Sequence, residues 1–173
     1  MIPSDRLTVP PDQSFVVFLI GMRLNKWWLL PVWLPVAMAM GRMLRQLAAR
    51  EDSPLLGVET YGGRTVFMVQ YWRSVDELLA YAHDKESEHV PAWRQWAQRF
   101  GLSGAVGIWH ETYVVGPGSY ECVYHHMPPF GLGRVFARVP ASGALATAAK
   151  RLAAGRQAAQ SEATRSDSTN ERP

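Results

Sequence analysis

The 173-residue chain has a single cysteine, Cys122. An intramolecular disulfide is therefore excluded. With no signal-peptide pattern at the N-terminus, a reducing cytoplasm is the expected location. Charge is also scarce: Asp, Glu, Lys and Arg make up 19% of the residues against 47% hydrophobic ones, an ordinary globular balance. No basic stripe marks the folded part. Of the net charge of +3, residues 141–173 supply +2, through Lys150, Arg151, Arg156, Arg165 and Arg172 set against Glu162, Asp167 and Glu171. Nucleic acid is thus not an expected partner. No apolar run reaches the about 20 residues of a spanning helix. The one candidate, Trp27–Gly41, is uncharged but is interrupted by Pro31 and Pro35. No His-Glu-x-x-His or related spacing occurs, although His110 and His125 with Glu111 or Glu121 are the right residue types, so no metal is expected. A phosphate-binding loop is missing too: Gly62-Gly63 reads as a hairpin turn, and Gly131-Leu132-Gly133 as a chain end with no following helix.

What the chain does have is aromatics, at 11% and including seven Trp. Either an aromatic-lined pocket or a heavy core uses them. Residues 1–13 hold three Pro and several polar residues and read as a loose arm. A domain over 14–135 follows. Ser14–Met22 is apolar on both faces, the mark of a central strand covered on both sides. Val36–Arg50 carries a helical stripe of Met40, Leu44 and Leu47. Leu55–Tyr61 and Arg64–Trp72 flank Gly62-Gly63 as a hairpin. Ser74 and Glu77 form a capping box for a helix with Val75, Leu78, Leu79 and Ala82 on its apolar face. A further helix is expected over Glu88–Phe100, then strands over Ala105–Val115 and Tyr120–Met127. Residues 136–159 are an Ala-rich segment with a C-terminal helix, and 160–173 are polar enough to be disordered.

The order β-α-β-β-α-β is that of an α+β, ferredoxin-like split βαβ sheet with helices on one face. Because Ser14–Met22 and most of Ala105–Val115 lack a polar face, a second copy is expected to cover the open side. The result would be a homodimer of the α+β barrel type.

Three stretches, FVVFLIGMRLNKWW at Phe15–Trp28, LLGVETYGGRTVFMVQYWRSVDELLAYA at Leu55–Ala82, and WHETY, YECVY and MPPFGLG within Trp109–Gly133, carry a resemblance. They resemble the fumagillin-pathway-type monooxygenase-like family, formerly a domain of unknown function, over roughly residues 12–135. The resemblance implies the dimeric α+β barrel architecture of antibiotic-biosynthesis monooxygenases. It further implies oxidation of a hydrophobic, polyketide-like or polycyclic molecule without a cofactor. Some barrels of this architecture hold haem through one axial His, for which the histidines here are the sole support. A non-catalytic binding module, or an isomerase, cyclase or dehydratase on the same scaffold, needs the same pocket.

Metal-free oxidation asks for a base, a dry cavity and an oriented substrate. His110 is the first candidate base. It shares a strand face with Val106, Ile108, Thr112 and Val114, while Trp109, Glu111 and Tyr113 face the other way. If Gly116–Ser119 closes a hairpin, His110 stands opposite His125, and a one-residue slip brings His126 there instead. Substrate contacts are expected from Trp109, Tyr113, Tyr124 and Phe130. Trp27, Trp28 and Trp33 are expected to form a lid, and suit peripheral contact with a membrane surface as well. His83 and His89 lie six positions apart, and His89 shares a helical face with Trp93 and Trp96, so His89 and Trp93 are pocket-lining candidates. Cys122 reads as a small core residue.

Overall fold

The structure is a computed structural model that describes residues 2–83 and 103–170. Its elements are β1 (Leu7–Thr8), β2 (Phe15–Leu24), α1 (Leu30–Ala48), β3 (Leu55–Tyr61), β4 (Thr65–Trp72), α2 (Val75–His83), β5 (Val106–Val115), α3 (Leu132–Val135), β6 (Val139–Pro140) and α4 (Ala148–Asn170). They divide between two units. One is Val16–Tyr113; the other joins Met1–Phe15 to Val114–Pro173.

The first unit is built on β2. Its apolar run lies in the middle of a four-stranded sheet of order β3-β4-β2-β5, the ferredoxin-like arrangement. Antiparallel pairing of β2 with β4 runs from Val16↔Trp72 to Arg23↔Thr65. The β3–β4 connection is tight because Gly63 takes φ +128°, a conformation open to glycine. Helix α1 begins six residues before the expected Val36. Pro31 falls in its first turn, where backbone N–H groups have no helical partner anyway. Pro35 sits inside the helix, and both prolines are exposed, so water can take the freed carbonyl. α2 starts with the expected capping box: Glu77 N donates to Ser74 Oγ at 3.2 Å, and Ser74 Oγ donates to Glu77 Oε2 at 3.3 Å.

Alternation sends Val16, Phe18, Met22 and Leu24 of β2 toward the helices, and the core on that side is split in two. One cluster gathers Met22, Leu24, Val32, Ala105 and Val106. The other gathers Val16, Leu47, Trp72 and Leu78. The helix expected over Glu88–Phe100 lies outside the described residues.

The second unit corrects four expectations. The N-terminal arm is not loose: β1 pairs with β6, Thr8 and Val9 are buried, and Thr8 Oγ1 donates to the Cys122 carbonyl at 2.7 Å. Apolar Leu7 and Val9 outweigh the arm's prolines. Residues 120–127 do not form a strand paired to β5. Leu7 N donates to Tyr124 O and Tyr124 N to Leu7 O, at 2.8 and 2.7 Å, so this backbone is satisfied by the arm. Third, the polar stretch expected to be disordered continues as α4 to Asn170. Gly131-Leu132-Gly133 does open a helix, but only the single turn of α3.

Backbones meet closely in this unit. Gly118 N donates to Pro11 O at 3.0 Å, and a Cβ on Gly155 would come within 2.4 Å of Gly118 N. Glycine at both positions is required by that approach. Arg151 is buried; its Nε donates to Glu121 Oε2 at 2.9 Å and its Nη1 to the Leu145 carbonyl at 2.9 Å. Tyr120 packs edge-on against Phe15 and donates to Pro10 O, and burial pushes its pKa up to about 12.

Removing one partner strands the buried guanidinium. Glu121→Ala is expected to lower stability by about 3 kcal/mol, and by more than Arg151→Met, in urea unfolding of the whole chain. Tyr120 binds its proton more tightly folded than unfolded. Its contribution is therefore complete below pH 10 and is lost as pH rises toward about 12. The melting temperature is expected to fall across that window in the parent and less steeply in Tyr120→Phe.

Candidate functional site

Between the two halves of the core, α1 does not touch the sheet closely. A cavity of about 230 Å³ lies there. Its floor centres on one row across the strands, with Met22 and Val66 of an adjacent row and Gly21 beside it. Thr60, Met68 and Ile20 are register partners in β3, β4 and β2, and Ile108 of β5 lines the same cavity. Its roof is Val36, Ala37, Met40, Gly41 and Leu44 of α1. Gly41 faces open space: a Cβ built there meets nothing within 4 Å. The lining is apolar apart from Thr60. Thr60 and Ile108 stand on the two edge strands and are exposed, which opens the cavity at the sheet margins.

The next row along the same face changes character. Two residues further, about 7 Å along a strand, Val58, Gln70 and Phe18 are register partners. The His110 ring lies against Phe18 with centroids 5.7 Å apart. An imidazole and an amide thus flank Phe18 one row beyond the cavity; none of the three lines it, and His110 is exposed. Gln70 is only 1% exposed. Its Oε1 accepts from Trp72 Nε1 at 2.9 Å, but its Nε2 has no partner among the described residues. A buried donor left unmet costs about 1–3 kcal/mol.

The remaining candidates separate. Trp109 sits on the opposite sheet face, as alternation requires. It lies 6.1 Å from Phe67, which stacks on Tyr61 at 4.8 Å, and its indole N is close enough to forbid a Cβ at Gly21. Tyr113 is exposed on that face and donates to Glu111, whose carboxylate raises the phenol pKa. Trp27 and Trp28 are exposed and edge-to-face at 6.1 Å. Trp33 is half-buried, packs on the Met22–Leu24 cluster, and donates to Trp27 O at 2.9 Å. None of the three tryptophans lines the cavity. His83 Nδ1 lies 2.7 Å from the Leu79 carbonyl at the end of α2. His89 and Trp93 lie outside the described residues.

His125 and His126 belong to the other unit, where their exposed rings tilt together at 4.2 Å and His126 takes φ +52°. The hairpin that would have set either opposite His110 does not form. Tyr124 has a structural role in that unit, its hydroxyl accepting from Gly133 N at 2.9 Å, and Phe130 O accepts from the same N–H at 3.0 Å. Among the described residues no three His, Cys, Asp or Glu side chains group as metal ligands.

Sequence reasoning missed the cavity and Gln70. Both had signals. Gly41 interrupts a run of good helix formers from Ala37 to Leu47, which calls for a packing or functional reason. Gln70 is the polar position in the alternation Val66, Met68, Gln70, Trp72.

Sheet order and one-sided helices define a ferredoxin-like α+β protein, with an apolar cavity between sheet and first helix. Residues 15–132 match the Monooxygenase af470-like family, and the chain belongs to it. Monooxygenase af470 of Aspergillus fumigatus is 29% identical over 136 residues, covering 72% of this chain and 47% of its own length. The chain thus spans about half the length of that curated relative. Among solved structures, aldoxime dehydratase (OxdRE) in complex with butyraldoxime shares the fold, with a TM-score of 0.58 at 12% identity over 78% of this chain and 41% of that one. SnoaB, a cofactor-independent oxygenase from Streptomyces nogalater, gives a TM-score of 0.41 at 9% identity over 60% of this chain and 94% of that one.

The open space at Gly41 makes a separable test. Gly41→Ala is expected to raise stability by about 0.5–1 kcal/mol, because alanine favours helix and its methyl meets nothing. Gly41→Phe is expected to fill the cavity and abolish binding of an apolar fluorophore, read by titration, while the circular dichroism spectrum is kept.

Proposed function

We propose that this chain is an oxygenase that holds a hydrophobic, polyketide-like or polycyclic molecule in the cavity beneath α1 and oxidises it with dioxygen. The observation that carries the reading is the row Gln70–Phe18–His110 beside an apolar cavity floor. The family name and the name of the Aspergillus relative point to the same chemistry.

In this reading His110 accepts a proton from an acidic C–H of the substrate. Gln70 Nε2 donates to the enolate oxygen that forms. The carbanion transfers electrons to dioxygen and a C–O bond forms. The resulting peroxide takes back the proton held by His110. Loss of water then leaves a carbonyl, so each CH2 and O2 become C=O and H2O, with no cofactor needed for the balance. The apolar walls orient the substrate and exclude water. Trp109, Phe67 and Tyr61 on the opposite face, with exposed Tyr113, are the surface against which a second copy packs in the proposed homodimer. Unpaired Cys122 suits a reducing cytoplasm.

Oxygen uptake with an enolisable anthrone as probe tests the reading. His110→Ala and His110→Asn are each expected to lower turnover by about 10²–10⁴ while ligand binding and oligomeric state persist. Gln70→Leu, which removes the amide donor, is expected to lower kcat more than it changes affinity. Parent-like turnover in both His110 variants would remove the base from the mechanism. If the parent binds apolar ligands in the cavity but consumes no oxygen, the non-catalytic binding module is the correct description.

A further inference from the structure

Among the described residues, the side of α1 turned away from the sheet is apolar and exposed. Leu30, Leu34 and Met38 are 52%, 44% and 55% exposed, and Trp27 and Trp28, just before the helix, are 63% and 59% exposed. Residues four apart in a helix differ by about 40° in direction, so the three helical residues form one stripe. The cavity roof is mainly another stripe, Val36, Met40 and Leu44, and Ala37 and Gly41 mark the border between the two. Scattered apolar residues on a surface need no explanation, but a contiguous stripe with two tryptophans marks a contact surface.

Charge decides what it contacts. From Gln13 to Arg50 the sequence has no Asp or Glu, yet it carries Arg23, Lys26, Arg42, Arg45 and Arg50. Lys26 Nζ donates to a neutral acceptor, the Ser103 carbonyl, at 3.3 Å. Arg45 follows Leu34 by eleven positions, about three full turns, and Arg42 follows Met38 by four. The outward face of α1 is therefore apolar in its first half and basic in its second, and Arg42, Arg45 and Arg50 are exposed. Two copies of this face brought together across a two-fold axis would each carry the same sign of charge, which disfavours self-pairing. An anionic bilayer meets every part of it. Tryptophan favours the headgroup level, Leu and Met enter the acyl boundary, and arginine pairs with phosphate.

We propose that α1 docks the chain onto an anionic lipid surface through Trp27, Trp28, Leu30, Leu34 and Met38, with Lys26, Arg42 and Arg45 at the headgroups. The contact is peripheral: among the described residues no helix is long and apolar enough to cross a membrane. The proposal stands on the exposed face alone and not on the chemistry in the cavity.

Sedimentation of the full chain with lipid vesicles tests it. Vesicles of phosphatidylcholine mixed with phosphatidylglycerol are expected to bind the chain roughly tenfold more tightly than phosphatidylcholine alone, and added salt should weaken that binding. Arg45→Gln should weaken binding to the mixed vesicles roughly fivefold. The double variant Leu34→Ser, Met38→Ser should lose binding to both kinds. Bromine-labelled acyl chains should quench the parent's tryptophan emission and should quench Trp27→Phe, Trp28→Phe much less. If the Leu34, Met38 variant fails to fold, the quenching pair decides alone. The proposal is overturned if the mixed vesicles do not bind, if binding ignores lipid charge and salt, or if quenching is the same with and without Trp27 and Trp28. It is equally overturned if the Leu34, Met38 variant stays folded and instead dissociates a self-associated species, because a second copy then covers the stripe.

Discussion

The antiparallel ladder between β2 and β4 is the constraint on which the site depends. Side chains alternate along each strand, so register alone decides which residues share a row. With Phe18 opposite Gln70 and Ile20 opposite Met68, an apolar row lies next to a row with two polar groups, both on the helix side. A slip of one residue would move Gln70 and every apolar neighbour to the other face. The register is held because one side must bury Val16, Met22, Met68 and Trp72 while the other stacks Tyr61 on Phe67 and leaves room at Gly21 for Trp109.

Much of this was legible from pattern. The doubly apolar β2, the Gly62-Gly63 connection and the Ser74–Glu77 box are local signals with local causes, and together they imply the strand order of the split βαβ sheet. His110 was placed correctly relative to Trp109 and Tyr113 because alternation needs no knowledge of neighbours. Legibility failed where the backbone chose a distant partner. Residues 120–127 have strand-like composition, yet Tyr124 bonds to Leu7, more than a hundred positions away, and no local rule selects that partner over the adjacent β5. The cavity was hidden for a related reason. Its volume is set by the separation of α1 from the sheet, and composition shows only that Gly41 is unusual.

Helix α1 roofs the cavity with one side and displays an apolar stripe on another. Inward it leaves space, since Ala37 and Gly41 are too small to reach the floor. Outward it displays Leu30, Leu34 and Met38. Neither choice favours stability: an empty apolar volume forgoes dispersion contacts, and exposed apolar side chains gain nothing in water. Stability is supplied on either side of the gap, by the two buried clusters and, in the other unit, by the Arg151–Glu121 pair.

The meeting of Pro11, Gly118 and Gly155 has a temporal consequence. Three segments far apart in the chain converge at one point, through backbones that approach too closely for any side chain between Gly118 and Gly155. During synthesis, which adds about 5–20 residues per second, the sheet of Val16–Tyr113 has all of its strands before either glycine is made. The N-terminal arm must wait for β6 and then for α4. A ribosome-bound chain therefore passes through a stage in which every strand of the cavity-bearing unit has been made while the partners of the arm have not. The arm, made before the sheet, is among the last segments to find its place.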